Sequence, residues 1–256
     1  MCRLLLLLNI QNPTHYIQSF LSQSDHKTKN TPGVNNTYEY IRHKDGFGFA
    51  WMTPVNKNKW KIYKNPILYK DDVHLENKIQ TIQSDVIIGH IRHKTSGNVT
   101  IQNTHPFYYQ NQVFFHNGKI FNFEKHVTTI RHFISQKYLT HITGETDSEH
   151  LFYLFLSYKD DFYSKNPESK EKELHKLMQS FFDFLENLKI QLLANIIYAN
   201  QQFVIITRYT IGTKYQTSLA LYYDNKTNNN GTIFSSEPVS DNYRLVPEKS
   251  IIVFPI

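Results

Sequence analysis

Cys2 is the single cysteine in 256 residues, and it directly follows Met1. Removal of that methionine would leave one residue carrying both a thiol and a free α-amine. Such an amine has an ordinary pKa of about 7.7–8.0, which suits a general base near neutral pH. Nucleophile and base would then share a residue and need no histidine partner. A second stretch, Phe114-Phe115-His116-Asn117-Gly118, lies far along the chain. Read singly, these features have ordinary explanations. Cys2 can be a rare residue at a terminus, Asn117-Gly118 a type I′ hairpin turn, and Arg92 a surface ion-pair partner. Asp147 sits where a helix dipole favours a carboxylate. Thirteen histidines invite a metal reading, led by His90 with His93. On a strand that spacing puts the pair on opposite faces, and no cysteine or carboxylate cluster completes a zinc set. Neither a metal nor a cofactor is expected.

Composition narrows the class. A charged fraction of 20% and an aromatic fraction of 14% suit a folded, soluble protein. One cysteine excludes an intramolecular disulfide framework and fits a reducing compartment such as the cytoplasm. The net charge of +6 raises nucleic acid as a partner. The lysines and arginines are scattered rather than blocked, so a basic surface is expected and nucleic-acid binding is not. Leu4–Leu8 is too short for a signal segment or a membrane span and reads as a buried strand.

The elements that must position these residues follow from pattern. Strand Cys2–Asn9 leads through Asn12-Pro13 into a short helix over Tyr16, Ile17, Phe20 and Leu21, then a polar loop from Ser22 to Thr37. Asp45–Trp51 reads as a strand with Lys59–Tyr63 as its hairpin partner. A polar helix is expected around Asp72–Ser84, then strand Val86–Ile91, then the polar loop Arg92–Phe107. Gln112–Ile120 reads as a strand broken at Asn117-Gly118, and Glu124–Lys137 as a helix. Thr146 and Glu149 have capping-box spacing at the head of a helix through Leu151, Leu154, Phe155 and Tyr158. After a charged connector (Ser164–Lys172), Leu174, Leu177, Phe181, Leu185 and Leu188 mark one face of an amphipathic helix. Strands are expected over Leu192–Ala199, Gln202–Tyr209, Thr217–Tyr223, Gly231–Ser236 and Ile251–Phe254. Asn225–Gly231 reads as a solvated hairpin loop rather than a linker, so residues 2–256 are expected to form a single α+β domain.

Taken together the motifs resemble a known family. Met-Cys-Arg, Asp45-Gly46-Phe47-Gly48-Phe49-Ala50-Trp51, Gly89-His90-Ile91-Arg92, Asn103-Thr104-His105-Pro106-Phe107, His116-Asn117-Gly118 and Thr146-Asp147-Ser148-Glu149 occur in the order seen in class-II glutamine amidotransferases. The resemblance implies an N-terminal-nucleophile hydrolase fold, a four-layer αββα sandwich. It also implies roles. Cys2 would be the nucleophile, with its α-amine as base. The Asn117 amide and the Gly118 backbone N–H would form the oxyanion hole. Arg92 would grip the substrate α-carboxylate, a pairing its planar fork suits. Thr95 would be a nearby hydroxyl donor, and Asp147 would receive the α-ammonium. Ser235-Ser236-Glu237-Pro238 resembles a motif of the family's stand-alone γ-glutamyl-hydrolase branch.

The expected activity is therefore hydrolysis of a γ-glutamyl amide, in glutamine or a γ-glutamyl peptide such as glutathione, through a Cys2 thioester in the cytoplasm. A peptidase-like protein partner is compatible with it. Two alternatives differ in kind: a glutaminase subunit passing ammonia to a separate synthase, and a catalytically silent basic binding module.

Overall fold

The protein is described here by a computed structural model covering residues 2–25, 42–53, 56–166, 173–212, 219–225, 231–239 and 242–256. The polar loop beyond Asp25, the connector from 167 to 172 and most of the Asn225–Gly231 loop lie outside these residues.

The apolar run Leu4–Leu8 becomes β1 (Arg3–Leu8), a strand buried along its whole length. Continuous burial rather than alternation marks a strand covered on both faces. Its neighbours in an antiparallel sheet are β4 (Val86–Ile91) on one side and β10 (Thr232–Ser235) on the other. The sheet is completed by β2 (Phe47–Thr53), β3 (Asn56–Asn65), β9 (Tyr222–Asp224) and β11 (Arg244–Leu245), in the order β11-β9-β10-β1-β4-β2-β3.

A second antiparallel sheet contains β5 (Phe107–Tyr109), β6 (Gln112–Ile120), β7 (Leu192–Ala199), β8 (Phe203–Ile211) and β12 (Ser250–Pro255), ordered β12-β8-β7-β6-β5. The short strands β5 and β11 are additions to the elements expected from pattern.

Three apolar cores show how the layers stack. Leu4, Leu6, Ala50 and Ile88 from the first sheet meet Val113, Phe115, Ile197 and Ile206 from the second. Leu5, Leu7, Phe49 and Ile87 point the other way. They pack on α1 (Thr14–Ser22) and α2 (Leu75–Gln80) through Ile17, Phe20 and Ile79. The outer face of the second sheet carries Phe114, Ile196 and Ile205. These meet α3 (Phe123–Phe133), α5 (Asp147–Lys165) and α6 (Leu174–Asn187) through Ile130, Phe155, Leu177 and Phe181. Helices therefore flank two face-to-face sheets, the αββα arrangement. Each fully buried leucine of β1 contributes on the order of 2 kcal/mol, so the strand that begins beside Cys2 is among the most firmly held.

Three expectations are corrected. The helix placed at Asp72–Ser84 is confined to Leu75–Gln80, with His74 to its N-terminal side and Thr81 at its end. The helix expected over Glu124–Lys137 ends at Phe133 and resumes as α4 (Gln136–Leu139), because Ile134 and Ser135 are extended. Strand β6 is also unbroken at Asn117-Gly118. Asn117 pairs with Asn195 and Gly118 with Ala194 in the ladder to β7. Gly118 is the residue that makes this possible, since a Cβ there would collide with the Leu193 carbonyl oxygen and the His116 ring.

Candidate active site

The register of β1 with β4 pairs Arg3 with Ile91, so the next residues outward, Cys2 and Arg92, emerge side by side. Alternation along β1 sends Leu4 and Leu6 between the sheets, and the same parity turns Cys2 toward the second sheet. The Cys2 thiol is bracketed by the His93 main chain, donating to His93 O at 3.5 Å and accepting from His93 N at 3.4 Å. The residue is half-buried. Burial is the largest influence on the thiol and raises its pKa. The N-terminal charge, the His93 hydrogen bond and Arg92 pull it down without prevailing.

Arg92 is buried and its fork is anchored, Nη1 donating to Asn98 O and Nη2 to Ser96 O, each at 2.9 Å. The loop after β4 is thereby wrapped around the guanidinium. Asp147, the first residue of α5, is buried opposite. Its Oδ2 accepts from Ile120 N at 2.8 Å and its Oδ1 from Ser148 N at 2.9 Å. Thr146 caps the helix by accepting from Glu149 N at 3.3 Å. The other half of the expected capping box is absent. Glu149 instead accepts from Thr143 N at 3.0 Å and Gly144 N at 2.7 Å, fixing the loop that leads into the site.

Cys2, Arg92, Thr95, Gly118 and Asp147 line one narrow cleft, with roughly 30 Å³ of free space. Thr95 is exposed at the rim. Asn117 is the one residue of the expected six that does not line the cleft. It is buried just behind Gly118, and its Nδ2 donates to Ser236 Oγ at 3.2 Å.

Among the other residues lining the cleft are Asn103, His105, His116 and Ser148. The ring of His116 is fixed at both nitrogens. Nε2 lies 2.8 Å from Leu193 O, which only accepts, so that nitrogen carries hydrogen. Nδ1 lies 2.9 Å from Ser148 Oγ and accepts from it while the ring is neutral. Burial lowers the His116 pKa, against the opposing pull of Asp147 and the Leu193 carbonyl. His105 packs against His90 with ring centroids 4.0 Å apart and the rings tilted by 37°. Burial lowers both, His90 to about 3, so neutral imidazoles back the site. His93 lies apart from His90, against His43. Gly48 leaves room for the His105 carbonyl to cross β2, where a Cβ would overlap it. Among the described residues, no three His, Cys, Asp or Glu side chains gather as a metal set. The sequence signal for His116 and Ser148 was their place inside the two motifs already singled out.

Nothing in this geometry is foreign to acyl transfer: a thiol, backbone donors, a guanidinium and a carboxylate face one small space. Comparison with known proteins points the same way. The family model for class-II glutamine amidotransferases matches residues 1–210. The Saccharomyces cerevisiae protein named "Probable glutamine amidotransferase DUG3" is 34% identical over 119 residues, 45% of this chain and 33% of that protein. A Haemophilus influenzae relative, whose name also carries the words glutamine amidotransferase, is 31% identical over 179 residues, 67% of this chain and 52% of its own. The chain thus matches a third to a half of the length of these relatives. In structure, it is similar to the glutamine aminotransferase class-II domain protein of Silicibacter pomeroyi. The TM-score is 0.63 at 17% identity, covering 99% of this chain and 95% of that one. The glutamine phosphoribosylpyrophosphate amidotransferase of Bacillus subtilis shares the fold at a TM-score of 0.52 and 14% identity, covering 92% of this chain and 42% of the larger protein. With most of its length matched by the family model, the chain belongs to the class-II glutamine amidotransferases.

Proposed function

We propose that the protein, once Met1 is removed, hydrolyses a γ-glutamyl amide bond through a thioester on Cys2. The observation carrying this reading is the meeting of Cys2, Arg92, Gly118 and Asp147 in one cleft. Sγ attacks the side-chain carbonyl carbon, and the Cys2 α-amine accepts the thiol proton. The oxyanion that forms is met by the Gly118 N–H and the Asn117 amide. Collapse breaks the C–N bond, and the leaving amine takes the proton from the α-ammonium. Water then cleaves the thioester, releasing the glutamyl carboxylate and restoring the thiol. Arg92, with Thr95 beside it, reads the substrate α-carboxylate, and Asp147 reads the α-ammonium. Residues 2–256 act in this reading as one cytoplasmic amidotransferase domain, supported by β10 and β12, which pair within the two sheets. No nucleic acid or membrane enters the reaction. No helix among the described residues is long and apolar enough to cross a membrane.

The preferred substrate in this reading is a γ-glutamyl peptide. Thr95, Asn98, Val99 and Ile101 are exposed along the loop that borders the site, leaving room for a bulky leaving amine outside it. A second reading, release of ammonia to a separate synthase, is favoured by the match to a family of amidotransferases. Glutamate release from glutathione and from glutamine by the processed protein separates them. The expected result is a higher kcat/KM for the peptide. Glutamine turnover better by about tenfold or more than every γ-glutamyl peptide tried reverses the choice, since tenfold is a difference of about 1.4 kcal/mol between transition states.

A further inference from the structure

The segment Ser235-Ser236-Glu237 lies beyond the residues that the family model matches, yet it closes directly on the start of β1. Ser236 N donates to Leu4 O at 3.0 Å, and Leu4 N donates back to Ser236 Oγ at 2.9 Å. Glu237 forms an ion pair with Arg3. The Gln23 amide ties the segment to α1's end, donating to Ser235 Oγ at 3.4 Å and to Glu237 O at 3.1 Å. The backbone two residues after Cys2 is thus clamped from the far end of the chain.

The same Ser236 oxygen takes a second donor from the opposite sheet, Asn117 Nδ2 at 3.2 Å. All three partners are buried, so water does not compete for these bonds. An asparagine side chain has two torsions, and this bond restrains the orientation of the amide. It engages one of the two hydrogens on Nδ2 and leaves the second to be donated. One hydroxyl oxygen therefore joins the strand that carries the nucleophile to the strand that carries Asn117 and Gly118. That bond adds to the packing of Leu4 and Leu6 on Val113 and Phe115, which spaces the two strands.

We propose that Ser236 is a positioning residue for acyl transfer: its hydroxyl holds the Asn117 amide in register with Cys2, so that the free N–H meets the oxyanion. This rests on the proposed function and deepens it. Preorganised donors are effective because their orientation costs nothing at the moment of reaction. Without its anchor the Asn117 amide samples orientations that do not donate, and the loss falls on the transition state rather than on substrate binding.

The test compares the processed wild type with Ser236→Ala, Ser236→Cys, Asn117→Ala and the Ser236→Ala/Asn117→Ala pair. Ser236→Cys is close in shape and a weak acceptor, and it guards against a folding defect in the alanine variant. The readouts are glutamate release from glutathione and glutamine, and alkylation of Cys2 by iodoacetamide, which needs no oxyanion hole. The alkylation site is assigned by peptide mass, because Ser236→Cys adds a second thiol. Both Ser236 variants are expected to lose roughly tenfold in kcat with KM changed less than about twofold, the signature of an interaction made in the transition state. Cys2 alkylation should stay within about twofold of wild type, and Ser236→Ala should add little once Asn117 is gone, as expected for two residues acting through one bond. An equal further loss in the Asn117→Ala background overturns the proposal. So does a parallel fall in Cys2 alkylation, which would place the effect on β1 through Leu4, and so does an unchanged kcat. Wild-type protein that releases no glutamate overturns the proposed function itself, a result distinct from any of these.

Discussion

Replacing Asp147 by asparagine tests the head-group reading with the fewest side effects. The carboxylate accepts from Ile120 N on one oxygen and from Ser148 N on the other. Asparagine keeps one acceptor and turns an NH₂ toward the other backbone N–H, leaving a buried donor unpaired at a cost of about 1–3 kcal/mol in stability. It also removes the charge proposed to meet the substrate ammonium. Hydrogen bonds to charged groups contribute roughly 1.5–3 kcal/mol, so kcat/KM for an amine-bearing substrate is expected to fall about 10- to 100-fold. Stability and recognition are then separated by a second substrate. Glutaramate is glutamine without its α-amino group and cannot use Asp147, so its kcat/KM should be nearly unchanged in folded Asp147→Asn protein. Steady-state glutamate or glutarate release, at a temperature well below the melting point of the variant, supplies both numbers. An equal loss for glutamine and glutaramate would refute the reasoning and leave Asp147 as a clamp between β6 and α5.

Three further outcomes are expected. Arg92→Lys keeps a charge but cannot span Ser96 O and Asn98 O while gripping a carboxylate, so KM for glutathione or glutamine should rise roughly 10- to 100-fold; an unchanged KM in steady-state assays would contradict the assignment. In protein that retains Met1, burial holds the Cys2 thiol above its ordinary pKa, so less thiolate is present at a given pH. Iodoacetamide alkylation should therefore rise only above the usual thiol range, and a midpoint below that of free cysteine would show that the opposing charges win. Gly118→Ala forces a Cβ onto the Leu193 carbonyl, and overpacking of this kind costs about 1–3 kcal/mol or more; a urea midpoint equal to wild type would show that β6 and β7 are looser than drawn.

The site lies where two sheets converge, and that placement explains its electrostatic character. Cys2 and Arg92 come from the first sheet, and Gly118 and Asn117 from the second. The neutral pair His90 and His105 lies behind them, deprotonated because burial penalises charge. A neutral, water-poor backing strengthens the field of the few donors that face the cleft.

Much of this was readable along the chain. The five-leucine run dictated a strand buried on both faces, and Leu174, Leu177, Phe181 and Leu185 dictated the inward stripe of α6. The order of motifs around Cys2 carried the family and hence the αββα layers. Local pattern failed where a long-range contact decided the outcome. Asn117-Gly118 has turn chemistry, yet both residues pair with β7 and continue β6, and Gly118 permits this by leaving the Leu193 carbonyl the space that a Cβ would need. Thr146 and Glu149 have capping-box spacing, yet Glu149 is drawn away by Thr143 and Gly144. Nothing in the sequence between residues 117 and 236 announces that Ser236 receives the Asn117 amide. Residue type and short-range spacing set which groups are present and which strands and helices form. The pairing of sheets brought Cys2, Arg92, Gly118 and Asp147 to one cleft, because contacts between elements distant in sequence are chosen by packing and register rather than by neighbours in the chain.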